Sequence, residues 1–92
     1  MNFHAETRKI PTILDAHVLP PAWRRRFYEL IGERNRALHA GAVGVSIGHE
    51  TMRKQADADV SRIDDALARI LEANAKGLLR KWGAATLEGL LP

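Results

Sequence analysis

Between Met52 and Asn74 the residues Met52, Ala56, Val60, Ile63, Leu67, Ile70 and Asn74 recur at steps of three and four. A strand turns over every second residue, so only a helix brings this set onto one side. A stripe about six turns long cannot face water and must be covered by something else. Around it, opposite charges stand four residues apart, Arg53 with Asp57, Asp65 with Arg69 and Glu72 with Lys76, which marks the remaining circumference as solvated. Ser46 or Thr51 can cap this helix, predicted over 49–76. Asn74 either specifies register from within the seam or frays with the helix end.

A second stripe supplies the cover. Trp23, Phe27, Leu30, Ile31 and Leu38 share one side of a helix predicted over 21–40. Proline restrains the residue before it but suits a first helical turn, so Pro20-Pro21 divides this helix from a short one over 12–19, with Ile13, Leu14 and Val18 inward. Gly41, Gly44 and Gly48 fall within eight residues, which predicts a flexible loop over 41–48. No Lys-Ser or Lys-Thr follows these glycines, as a phosphate-binding loop requires. Residues 1–11 lack any period and read as a flexible arm. Gly77 breaks the second long helix, and 78–91, with Leu78, Leu79, Trp82, Leu87, Leu90 and Leu91, reads as an apolar tail that folds back or packs on another subunit. The expected fold is one all-α domain over 1–92, a small helical bundle built on a long-helix hairpin. Two stripes exceed what a hairpin alone can cover, so dimerisation is expected to complete it.

With no cysteine, disulfides and thiolate chemistry are excluded. No apolar run reaches the roughly 20 residues that span a bilayer, and the charged start is unlike a signal peptide, so a cytoplasmic chain without membrane association is expected. The four histidines, His4, His17, His39 and His49, lie in four segments without ligand spacing, which predicts no metal and no cofactor. The net charge of +3 is uneven: residues 1–40 hold seven of the 14 Lys and Arg but only four of the 11 acids. Arg24, Arg25, Arg26 and Arg36 are therefore candidates for contact with a nucleic acid backbone. The alternative for the Arg24–Arg26 run is a solvated surface with Arg25 and Arg26 facing Glu29.

Arg34 interrupts the first stripe. A guanidinium on an apolar face needs a partner, which can be Asp59 or Asp64 on the facing helix, or a phosphate. Arg34 also opens the run Arg34-Asn35-Arg36-Ala37-Leu38-His39. This run resembles the signature of the HEPN superfamily (higher eukaryote and prokaryote nucleotide-binding), small all-α domains of toxin and antiviral defence systems. Its pattern is an arginine, a polar residue such as asparagine, and a histidine after a gap of four to six. The resemblance, over about residues 29–72, implies a metal-independent RNA endonuclease or RNA-binding module whose site forms across a homodimer. It implies His39 as the acid and base toward a ribose 2′-hydroxyl, Arg34 as the phosphate-stabilising cation and Asn35 as the residue that orients them. The rival expectation is a non-catalytic bacterial or phage-type interaction protein that binds a larger protein or nucleoprotein complex.

Overall fold

The computed structural model describes residues 13–79, and the expected arm over 1–11 and the tail beyond Leu79 lie outside them. A 3-10 segment, Ile13–Val18, leads through Pro20 into helix α1, Pro21–Ile47, and after a two-residue turn helix α2 runs Glu50–Ala75. The two helices pack as an antiparallel hairpin, and no strand occurs among the described residues.

α1 does not stop near Gly41. It continues through Gly41 and Gly44 to Ile47, so the expected loop over 41–48 is helix for all but its last residue. Glycine costs a helix interior about 1 kcal/mol relative to alanine, and tertiary packing offsets that cost here. A Cβ on Gly44 would stand 3.0 Å from the backbone nitrogen of Arg53, and one on Gly41 would stand 3.2 Å from the Ala56 Cβ. The helices close on each other at the tip of the hairpin, where an added Cβ would sit tighter than ordinary van der Waals contact.

The turn itself is made by Gly48 at φ 71°, a left-handed conformation that glycine adopts without a Cβ penalty. His49 N–H then donates to the Gly44 carbonyl at 2.8 Å and Gly48 N–H to the Val45 carbonyl at 3.2 Å, the paired closure of a Schellman motif. α2 ends the same way at Gly77, where Leu78 N–H reaches the Ala73 carbonyl and Gly77 N–H the Asn74 carbonyl, both at 2.9 Å. Neither Ser46 nor Thr51 caps α2. His49 does, its Nδ1 accepting from Met52 N–H at 3.1 Å.

The core occupies the half of the hairpin away from the turn. Trp23, Phe27 and Leu30 of α1 meet Ile63, Ala66, Leu67, Ile70 and Ala73 of α2, with Ala16, Leu19 and Leu79 closing the cluster. Each large side chain buried this way contributes about 1.5–3 kcal/mol of transfer free energy. The 3-10 segment inverts the inner face expected of it: Leu14 and Val18 are 71% and 68% exposed, while Ala16 and Leu19 are buried. At three residues per turn, Ala16 and Leu19 fall on one side, whereas α-helical spacing had placed Leu14 with Val18. Two side chains fasten the segment to the hairpin. Arg24 donates from Nη2 to the Leu19 carbonyl at 3.0 Å and from Nε to the Ala16 carbonyl at 3.3 Å, and Asn74 donates from Nδ2 to the Val18 carbonyl at 3.1 Å. Asn74 is thus a tether that joins the end of α2 to the 3-10 segment, not a frayed terminal residue.

Candidate functional site

Arg34 lies one turn beyond Leu30, at the edge of the core, and its partner is Asp64. Nε donates to Oδ1 and Nη2 to Oδ2, the second at 3.3 Å, so the pair is bidentate across the two helices. Both groups are largely shielded, with side chains 16% and 28% exposed. Asp59, the other expected partner, instead accepts from Gln55 at 3.1 Å and Arg62 at 3.4 Å on the outer surface of α2. A bidentate pair between residues 30 apart opposes sliding of one helix along the other, because a shift of one turn, about 5.4 Å, would separate the charges.

Asn35, Arg36 and His39 are exposed. With α1 unbroken through this stretch, Arg34 and His39 stand about 140° apart around the axis and about 7.5 Å apart along it. The guanidinium faces into the hairpin, the imidazole faces solvent, and a single chain does not bring them to one point. His39 is also eight residues from the end of the helix, too far inside to gain from the dipole at its C-terminus.

The proposed nucleic-acid contacts divide. Arg24 is committed to the carbonyls of Ala16 and Leu19, and Arg26 to Glu29 and Glu33 at 3.3 and 3.5 Å. Arg25 and Arg36 are exposed on the outer side of α1, as is Tyr28. Among the described residues ten Lys and Arg stand against nine acids, so most of the net positive charge of the chain belongs to residues outside them. Pairing consumes much of what remains. Arg53 donates from Nε to Glu50 at 2.7 Å and from Nη1 to Asp57 at 2.7 Å. Its hydrogen bond and its charge hold the Glu50 carboxyl below the ordinary glutamate value. Among the described residues no three of His, Cys, Asp and Glu are grouped as metal ligands, and no helix is long and apolar enough to cross a membrane.

Sequence reasoning missed a groove of mixed lining, bordered by Arg53 and Asp57 as well as by apolar side chains. Past Leu38, α1 presents Ala42 and Val45 on the same flank, and with Ala56 and Val60 of α2 they line an open groove of about 300 Å³ near the tip. Leu38 and Val45 are 46% and 64% exposed there. The signal was present in the spacing: Leu38, Ala42 and Val45 continue at steps of four and three. Reading 41–48 as a loop cut that run short.

No known protein family, no curated protein and no solved structure matches this chain.

Proposed function

We propose that this protein is a non-catalytic interaction module, a helical hairpin that acts by presenting a surface to another macromolecule. The observation that carries this reading is the commitment of Arg34 to Asp64 inside the hairpin. An arginine that stabilises a transition state must present donors to developing charge on a phosphate, and two of the five N–H groups of Arg34 are already held by Asp64. Here the inward edge of the guanidinium is satisfied by a carboxylate, on the side of α1 away from His39. The exposed side chains of Leu38 and Val45 beside the tip groove are, by contrast, unspent contact area.

The ribonuclease reading implied by the Arg34-to-His39 run would need a second chain to complete the site. Its test is direct. The purified 92-residue chain is incubated with single-stranded RNA beside Arg34→Ala and His39→Ala variants whose helix content is verified by circular dichroism. The expected result is no cleavage above a protein-free control by any of the three. Cleavage by the unmodified protein that disappears in His39→Ala would overturn the non-catalytic reading.

A further inference from the structure

Only Gly48 and His49 separate the two long helices, and His49 fastens both of them. Its N–H donates to the Gly44 carbonyl at 2.8 Å and closes α1, its Nδ1 accepts from Met52 N–H at 3.1 Å and caps α2, and its carbonyl accepts from Arg53 N–H at 3.1 Å. The two backbone bonds involve no titrating group, whereas the side-chain bond does. An imidazole that accepts at Nδ1 carries its one proton on Nε2. With Nδ1 protonated as well, both nitrogens are donors and Met52 N–H loses its acceptor. We propose that His49 makes the tip of the hairpin sensitive to pH, protonation at Nδ1 releasing the cap of α2.

The charges around His49 act in the same direction. The first turn of a helix is the positive end of its dipole, where an imidazolium is disfavoured. Arg53, one turn on, and Lys54 beside it add cations. Glu50 is the acid that would favour an imidazolium, and Arg53 already holds both of its oxygens, from Nε at 2.7 Å and from Nη2 at 3.1 Å. Asp57 accepts from the same guanidinium, from Nη1 at 2.7 Å. Across the turn, α1 carries no ionisable side chain after His39, which stands about 12 Å of helix before Ile47. The turn also has little slack, since a Cβ on Gly44 would stand 3.3 Å from the His49 carbonyl oxygen. The fold uses the unprotonated imidazole, so the contribution of the cap is complete above the imidazole range of about pH 5 to 8 and is lost as pH falls through it. Val45 and Ile47 are exposed in the last turn of α1, so acid loosens the end of the hairpin that presents them. The device acts whatever the tip binds.

The test compares the 92-residue chain with His49→Asn, whose capping oxygen does not titrate, and with His49→Ala, which has no side-chain cap at any pH. The ratio of folded to unfolded chain is measured by urea unfolding at about pH 7.5 and about pH 5.5, on either side of an imidazole and above the carboxylates. On going to the acid side, the ratio for the unmodified chain is expected to fall about fivefold further than that for His49→Asn. His49→Ala should lie below His49→Asn by about the same factor at both values. The other histidines titrate in all three chains and cancel in the comparison, and His39→Asn should keep the acid loss. A local readout is the amide resonance of Met52, which should move with pH through the imidazole range in the unmodified chain and stay in place in His49→Asn. An equal response of the unmodified chain and His49→Asn overturns the proposal. So does an acid loss that disappears in His39→Asn, or a Met52 amide that does not move.

Discussion

The two halves of the hairpin are held by different means. From Trp23 to Leu30 and from Ile63 to Ala73 the helices are spaced by large buried side chains and covered by the 3-10 segment. From Gly41 to Ala56 they approach closely, and the large apolar residues Leu38, Val45 and Ile47 in and beside that stretch face outward. Arg34 and Asp64 mark the boundary between the two. The base derives its stability from the area removed from water, and the tip from close approach, a closed turn and a cap. A protein built this way keeps its fold in one half and leaves the other half's apolar surface available for contact.

The strongest way to break this comparison is to delete core volume from the base. Phe27 is fully buried, and Phe27→Ala is expected to cost about 3–5 kcal/mol in urea or thermal unfolding, a large part of the stability of a domain this small. Val45→Ala at the tip should stay within about 0.5 kcal/mol of the original. Equal losses would mean that the tip is packed as tightly as the base.

A smaller effect distinguishes two glycines of α1 by sign. At Gly44 an added Cβ meets the backbone of Arg53 at 3.0 Å, and backbone cannot swing aside. Gly44→Ala should therefore lower stability by about 1 kcal/mol or more, the gain in helix propensity notwithstanding. At Gly32 the nearest atom is the far end of the Arg36 side chain at 3.6 Å, which can move. Gly32→Ala should raise stability by about 0.5–1 kcal/mol. If both substitutions stabilise, the tip helices are not in close contact.

The smallest expected effect is electrostatic and lies at the start of α2. Arg53 holds the Glu50 carboxyl below its ordinary value of 4.5, so the folded state favours the ionised form. The stability this contributes is complete above the ordinary value and is lost as pH falls through the lowered folded one. Thermal melts of the unmodified protein and Glu50→Gln should therefore differ slightly at pH 6 and converge in acid. The group is fully exposed, and salt should shrink the difference further. A difference that grows on acidification would contradict the assigned pairing.

Much of the base was legible from spacing. Ile63, Leu67 and Ile70 stand in the sequence at helical steps, as do Trp23, Phe27 and Leu30, and all six are buried. Burial of a large apolar group is favourable in almost any fold, so its periodicity survives into the structure. The tip was not legible by the same means. Gly41 and Gly44 are poor helix formers and read as a loop, and only the closeness of α2 makes their lack of a side chain an advantage. The roles of Asn74 and His49 were not legible for a related reason: each satisfies a backbone group, in one case 56 residues away, that periodicity does not reveal.

Arg34 shows where the division falls. By itself the sequence determined that the chain is helical, that two apolar stripes must meet, and that a guanidinium on one of them needs an anion. Those are local consequences of period and charge. Only the tertiary structure decided that the anion is Asp64 and not Asp59, that α1 runs on past the glycines, and that Leu38 and Val45 line an open groove. Each of these depends on how far apart two helices lie. That distance is set by the side chains of both together and is written in neither stretch of sequence alone.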